Sequence, residues 1–274
     1  MSLRVRVSEL FLSIQGEGPS AGTPAHFLRL QGCGVGCHWC DTRYSWSEAG
    51  GAERELAAVW NELRALGESG LLVVTGGEPA EFSELGALLD QALERWSRVE
   101  VETSGIQPPV RSHHRLFYNV SPKLPSATAG WARTWSHADA WNAEPRATFK
   151  IVVGEGADLD DALRLMTEHA IPSARVMLMP QGLTDQAVRA GAARLADAVE
   201  GRLQHRVAPL VRPVDVGRID RDRKRPRLIG HKGLDGLSIG CGAHDRARLP
   251  AESLVHPVNM RRVDGDSQGS RLIV

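Results

Sequence analysis

Lysine is almost missing from this 274-residue chain, with four against 29 arginines, and tyrosine occurs only twice. The arginine excess beside abundant Ala and Gly points to a GC-rich coding sequence rather than to a function. Net charge is missing too. The 33 basic and 33 acidic residues cancel, so nothing in the total selects nucleic acid or an acidic partner. No apolar run approaches the roughly 18 residues of a membrane span; Leu71 to Thr75 is typical of the longest. The N-terminus alternates charged and apolar residues from its third position, against the pattern of a secretory signal. A soluble, cytoplasmic protein without a membrane partner is the expectation. The length suits one large domain or two small ones.

Aromatic residues are absent from the last part of the chain: all fourteen lie at or before Phe149. From Ala208 to Val274, 13 Arg/Lys stand against 8 Asp/Glu, with few large apolar side chains to offset chain entropy. The segment 208–274 therefore reads as an atypical Arg-rich tail, poorly ordered or unusually packed, beside a domain spanning 1–207. In that domain strand and helix signals alternate. Residues 5–15 are β-rich and 25–31 form a short apolar strand. A helix over 53–69 carries Leu56, Val59, Trp60, Leu63 and Leu66 at helical spacing, and one over 81–96 repeats the pattern with Phe82, Leu85, Leu88 and Leu89. Strands are expected at 70–75, 99–103, 115–120, 148–153 and 175–179, with helices at 159–170 and 184–199. Alternation of this kind calls for a parallel sheet covered by helices, an α/β class. Six strands counted from Ala25 suffice for a partial barrel.

Cysteine is sparse but clustered. Of four, Cys33, Cys37 and Cys40 form a CxxxCxxC within eight residues, and Cys241 stands alone. A secreted disulfide scaffold would spread its cysteines, so the pattern reads as metal or redox chemistry in a reducing compartment. Three thiolates on one loop suit three corners of a cubane iron–sulfur cluster, leaving the fourth iron without a protein ligand and open to substrate. Gly32, Gly34 and Gly36 allow the backbone to wrap closely. A structural zinc with His38 or His26 as fourth ligand stays open. A nucleotide loop is disfavoured because no helical pattern follows the glycines at once. Three unliganded cysteines packed as small hydrophobes fit least, since a Gly-rich loop offers them no core.

The triplet follows the first barrel strand, and Thr75-Gly76-Gly77-Glu78-Pro79 follows the second. Together they resemble the radical S-adenosylmethionine superfamily, in which the free iron chelates the methionine moiety and an electron from the cluster cleaves the sulfonium. The likeness narrows to the 7-carboxy-7-deazaguanine synthase family of 7-deazapurine (queuosine) biosynthesis. It is carried by the run from Glu9 to Gly18, by Phe27-Leu28-Arg29-Leu30 and by Cys40-Asp41-Thr42. Further on come Glu102-Thr103-Ser104-Gly105, Ser121-Pro122-Lys123, Phe149-Lys150-Ile151-Val152-Val153 and Leu178-Met179-Pro180-Gln181-Gly182. The match runs in order through about three quarters of the chain. Members usually finish soon after a strand resembling His205-Arg206-Val207, whereas here a longer segment follows. That segment reads as a divergent extension or as translation past a frameshift.

The resemblance implies a fold, a partial (β6/α3-like) TIM-type barrel, and an activity. The activity is a radical lyase converting 6-carboxy-5,6,7,8-tetrahydropterin to 7-carboxy-7-deazaguanine with loss of ammonia. It assigns Cys33, Cys37 and Cys40 to a [4Fe–4S] cluster and Thr42 to Mg²⁺, although a lone threonine is more often a local cap. S-adenosylmethionine would be met by Trp39, Cys40, Asp41, Gly77, Glu78, Ser121, Pro122, Lys123, Met179, Pro180, Gln181 and Gly182. A pterin would be met by Ile14, Gln15, Gly16, Arg29 and Thr75, with the Arg29 guanidinium suited to its carboxylate. The bland alternatives are core filling for Trp39, a surface salt bridge for Arg29, a strand-end turn for Gln15 and a plain turn at Gly76-Gly77. A homodimer and a reduced flavodoxin-type electron donor are inherited expectations, with no nucleic-acid partner. Two other functions compete: a glycyl-radical activase, and a zinc-stabilised module whose Arg-rich tail contacts RNA. His113, His114 and His137 lack partners at ligand spacing and read as surface residues. Cys241 would reach the triplet only if the tail folds back.

Overall fold

The computed structural model describes residues 3–203, apart from 155 and 183. The tail 208–274, with Cys241 and the strand expected at His205-Arg206-Val207, lies outside the described residues. Eight strands build one sheet: β1 (Arg4–Ile14), β2 (Pro24–Leu30), β3 (Ala52–Glu55), β4 (Leu71–Gly76), β5 (Arg98–Thr103), β6 (Leu116–Val120), β7 (Ala147–Val153) and β8 (Val176–Pro180). Their order is β3-β1-β2-β4-β5-β6-β7-β8. From β2 to β8 every pairing is parallel, while β1 runs antiparallel to both β2 and β3. The parallel strands are the six counted from Ala25.

Most of the parallel strands are rich in apolar residues because both of their faces are covered, whereas β5 (RVEVET) alternates apolar with charged positions. In β4, Leu71, Leu72, Val73 and Val74 are all buried. One face packs against the helices α1 (Leu56–Ala65), α2 (Leu85–Leu93), α3 (Ala138–Ala143), α4 (Asp158–Glu168) and α5 (Asp185–Leu203). Helix α1 buries Leu56, Val59, Trp60 and Leu63, and α2 buries Leu85, Leu88, Leu89 and Ala92. Both sets repeat at i, i+3, i+4, i+7, one stripe of a 3.6-residue period. Leu28, Leu72, Val74, Val99, Val101, Tyr118, Phe149 and Ile151 meet those stripes in one core. The opposite face holds a small apolar floor of Ala25, Phe27, Leu71 and Val73, with Phe11 stacked on Phe27. Beyond that floor the inner face turns polar. Among the described residues no helix is long and apolar enough to cross a membrane.

The elements depart from the sequence reading at three places. The helix expected from residue 53 begins at Leu56; the charged stretch before it is the edge strand β3, paired with Arg4 to Val7 of β1. Charged side chains on an edge strand discourage further pairing. The helix expected from residue 81 begins at Leu85, because Pro79–Glu81 winds as a 3-10 turn and Phe82 is extended. Helix α3 was not expected at all, and the crossover from β5 to β6 contains no helix.

Leu88 is fully buried and Leu66 is 43% exposed. Leu88→Ala is expected to lower unfolding free energy in urea by about 2–5 kcal/mol, the usual range for a buried Leu. Leu66→Ala should change it by no more than about 0.5 kcal/mol.

Candidate active site

The cysteine loop leaves β2 at Leu30 and is clamped from three sides. From the segment after it, the Gly32 N–H donates to Ser45 O (2.8 Å) and the Cys33 N–H to Trp46 O (3.1 Å). From the end of β4, the Gly77 N–H donates to Leu30 O (3.0 Å) and the Glu78 N–H to Gly32 O (2.8 Å). Just beyond, the Glu81 carboxylate accepts the Gly34 N–H at 2.7 Å. From the segment after β6, the Thr128 hydroxyl donates to Val35 O (3.0 Å), and Ala127 O accepts the His38 N–H (2.8 Å). Gly32 and Gly36 take φ of +106° and +70°, which side chains rarely allow.

The clamp gathers the three cysteines, all reduced, around the apolar pair Val35 and Ile106. Burial pushes the Cys33 and Cys37 thiols up. The Cys40 sulfur lies 3.2 Å from the indole Nε1 of Trp46 and 3.5 Å from the Thr42 hydroxyl. His26 is excluded as a fourth ligand: one ring nitrogen accepts the Trp96 indole N–H (3.0 Å) and the other faces Gly67 O (3.0 Å). Among the described residues no group of three His, Cys, Asp or Glu side chains is arranged to hold a single metal ion.

Glu78 sits beside this loop, 4% exposed. Its carboxylate accepts the Ser104 N–H (2.7 Å), the Ala80 N–H (3.0 Å) and the Thr103 hydroxyl. It ties the ends of β4 and β5 together. Directly there, the buried Ser104 hydroxyl has no partner in the structure. An orphaned hydroxyl at that depth is costly unless a ligand satisfies it. At the end of β6 the Lys123 ammonium donates to the Ser121 hydroxyl (3.1 Å) and lies 5.5 Å from the Trp39 ring centroid. Burial pushes the Lys123 pKa down, with Cys37 opposing.

The inner face carries a second polar group centred on Glu102 of β5. Its two carboxylate oxygens accept from the Gln15 amide (3.0 Å) and the Thr75 hydroxyl (2.7 Å). Below it the fully buried Glu100 accepts from Arg98 Nε (2.7 Å), Asn119 Nδ2 (3.2 Å) and the Ser20 hydroxyl. Lys150 of β7 forms an ion pair with Glu17. Burial opposes the Lys150 charge, yet Glu17, Glu102 and Asp41 together outweigh it and hold the pKa above its ordinary value. Arg29 of β2 donates from Nε to Glu9 at 2.7 Å, and the Tyr44 hydroxyl donates to the same oxygen at 2.7 Å. Burial, then that bond, push the Tyr44 pKa up to about 12.

The expected residues thus fall into groups. Cys33, Cys37, Cys40, Trp39, Thr42, Gly77 and Glu78 meet at the cysteine loop, with Ser121, Pro122 and Lys123 on the next rim segment. Asp41 is exposed beside them. Gln15 and Thr75 meet through Glu102, but the Gln15 amide is spent on the chain's own groups, since its oxygen accepts the Glu17 N–H (3.2 Å). Its backbone is spent as well, between Thr23 O (2.8 Å) and the Gly22 N–H (2.7 Å). Gln15 thus supports the inner face instead of offering free groups to it. Ile14 and Gly16 are exposed at the end of β1. Met179, Pro180, Gln181 and Gly182 end β8 on the same rim, where the Gln181 N–H donates to Val153 O (2.8 Å). Arg29 does form a salt bridge, but its side chain is only 12% exposed. Glu102, Glu17, Lys150, Glu81 and Ser104 were given no role from sequence. Composition carried one signal: Lys123 and Lys150 are the only lysines before residue 207 in an arginine-rich chain.

Three reduced thiols in one apolar pocket suit the soft, iron-rich ligation of a cluster. The orphaned Ser104 hydroxyl suits a polar ligand beside it. The arrangement depends on Gly77, where a Cβ would stand 2.0 Å from Gly32 O. Gly77→Ala should push the cysteine loop off the end of β4. The expected outcome is iron incorporation cut several-fold after anaerobic reconstitution, with the far-ultraviolet circular dichroism of the barrel kept. Unchanged iron content would show that the loop has room.

No family model matches the chain. Curated relatives do. A 7-carboxy-7-deazaguanine synthase of Pyrobaculum aerophilum is 43% identical over 180 residues, which is 65% of this chain and 79% of that protein. One from Hyperthermus butylicus is 38% identical over 181 residues, 64% of this chain and 77% of that protein. Among solved structures, the crystal structure of QueE from Escherichia coli superposes with a TM-score of 0.53 at 25% identity, covering 71% of this chain and 91% of that one. At this identity and coverage, and with a cysteine loop clamped at the mouth of a six-stranded parallel array, the chain belongs to the 7-carboxy-7-deazaguanine synthase family.

Proposed function

We propose that this chain is a radical S-adenosylmethionine lyase. It would convert 6-carboxy-5,6,7,8-tetrahydropterin to 7-carboxy-7-deazaguanine with release of ammonia, a step in 7-deazapurine (queuosine) biosynthesis. The observation that carries the reading is the junction of a three-thiol loop with a polar inner face at the carboxyl ends of the strands, where barrel enzymes place their chemistry. When bound, the cluster and S-adenosylmethionine supply the one-electron homolysis that no side chain can perform.

The chain's own residues hold, orient and shield. Cys33, Cys37 and Cys40 would ligate the cluster. Trp39, Cys40, Asp41, Gly77, Glu78, Ser121, Pro122, Lys123 and the β8 end from Met179 to Gly182 would surround the adenosylmethionine. The absence of a side chain at Gly77 lets the cysteine loop close on the end of β4 beside it, and the Ser104 hydroxyl would gain its missing partner. Ile14, Gln15, Gly16, Arg29 and Thr75 would frame the pterin, with Gln15 and Thr75 aiming Glu102 at it. Arg29 offers its terminal nitrogens to the substrate carboxylate, an end-on fork of the kind guanidinium groups make. Thr42 would ligate Mg²⁺. It stands at the N-cap of a 3-10 turn without a side-chain capping bond, and its hydroxyl lies 3.5 Å from the Cys40 sulfur. Mg²⁺ commonly takes few protein oxygens and keeps waters that can bridge to substrate. A cytoplasmic homodimer served by a reduced flavodoxin-type donor completes the reading.

Anaerobic reconstitution with iron and sulfide, then reductant, adenosylmethionine and the pterin, is expected to give 7-carboxy-7-deazaguanine. Adenosylmethionine cleavage without that product would reject the substrate. Removing Mg²⁺ with chelator should slow turnover of the unmodified chain. Thr42→Val should lose most of that Mg²⁺ response while keeping its iron; an undiminished response in the variant rejects Thr42 as the ligand.

A further inference from the structure

Trp46 touches the cysteine triplet with both its backbone and its side chain, and neither its motif nor its position had singled it out. Its carbonyl accepts the Cys33 N–H at 3.1 Å, while its indole Nε1–H donates to Cys40 Sγ at 3.2 Å. It is held in that pose. Its own N–H closes the preceding 3-10 turn on Arg43 O (3.1 Å), and the Arg43 guanidinium lies 5.5 Å from its ring centroid. The Thr42 hydroxyl approaches the same sulfur at 3.5 Å.

An indole N–H can only donate, and a neutral thiol is a weak acceptor. A sulfur that carries negative charge is a far better one, since hydrogen bonds to charged acceptors are roughly twice as strong as neutral ones. Adding an electron to a cluster increases the charge on its thiolates, so an N–H aimed at one of them favours the reduced state. Hydrogen bonds to the sulfurs are among the factors that set cluster potentials. We propose that Trp46 is a positioning residue that raises the reduction potential of the cluster through Cys40, making it easier for a mild donor to reduce. This rests on the family reading of the triplet as a cluster site.

The test is a redox titration of the reconstituted full chain, following the reduced cluster by electron paramagnetic resonance, for the unmodified protein and Trp46→Phe. At a fixed potential the ratio of reduced to oxidised cluster should fall about tenfold in the variant, equivalent to about 59 mV for one electron. Trp46→Gln, which keeps a donor, should recover part of the loss. A Trp46→Phe protein with full iron and a ratio within twofold of the unmodified chain overturns the proposal alone. If that variant holds no cluster, pulsed resonance on Trp39→Phe protein carrying tryptophan labelled with ¹⁵N at the indole nitrogen alone decides. A ¹⁵N coupling to the reduced cluster supports the bond, and its absence overturns it. Failure of the unmodified chain to take up any cluster overturns the family reading and this inference together.

Discussion

At Gly77 a Cβ would stand 2.0 Å from the carbonyl oxygen of Gly32, and through that close approach the barrel grips its cysteine loop. Gly76 allows the strand to end there. Its φ is +145°, and a Cβ on it would lie 2.4 Å from both Leu30 N and Leu30 O. With neither side chain present, the Gly77 and Glu78 amides reach Leu30 O and Gly32 O. Two consecutive hydrogen bonds then carry the order of β2 and β4 into a segment that has no secondary structure of its own. The remaining clamps act on a loop already positioned. Glu81 takes Gly34, Thr128 takes Val35 O, and Trp46 takes Cys33 and Cys40. A three-point ligand set needs this rigidity, because thiols that wander pay the ordering entropy again at each metal encounter.

The second constraint is the cost of a polar interior. The inner face buries Glu100 completely and Glu78 almost so, which is tolerable only because each carboxylate receives three donors. Glu102 receives two from side chains and remains partly exposed. It is therefore the carboxylate best placed to meet a ligand rather than to hold the fold. Lys150 shows the same logic with opposite sign, a cation at depth kept charged by the carboxylates around it.

How much of this could be read from the sequence follows from how local each signal is. The six parallel strands were legible because each is an apolar run or, in β5, an alternation of apolar and charged residues, and α1, α2 and α4 because their stripes repeat within one element. Strand β3 was not, since Glu53, Arg54 and Glu55 carry no apolar alternation and owe their conformation to backbone pairing with β1. Helix α3 escaped for a similar reason. Six residues cannot show a period, and the segment is anchored by Trp141, whose indole donates to Gln107 O (3.0 Å) and Gly105 O (3.3 Å). The cysteine triplet was legible because its ligands lie within eight positions. The groups around Glu102 were not: Gln15 stands 87 positions away, and Glu17 is 133 positions from Lys150. Only the sheet brings them together.

The same accounting of buried charge separates the ion pair of Arg29 from that of Lys150. In the Lys150–Glu17 pair both side chains are largely withdrawn from water, at 14% and 29% exposure. Displacing Glu17 would leave a carboxylate to be resolvated from within the fold, and breaking a buried pair is costly. In the Arg29–Glu9 pair the cation is as sheltered, at 12%, but Glu9 is 42% exposed. Glu9 can turn to solvent, giving up its bonds from Arg29 and Tyr44, while the guanidinium stays over Phe11, 5.9 Å from its ring centroid. The substrate carboxylate proposed for Arg29 would replace a partner that water will accept, and the barrel's deeper charge pairs would stay intact.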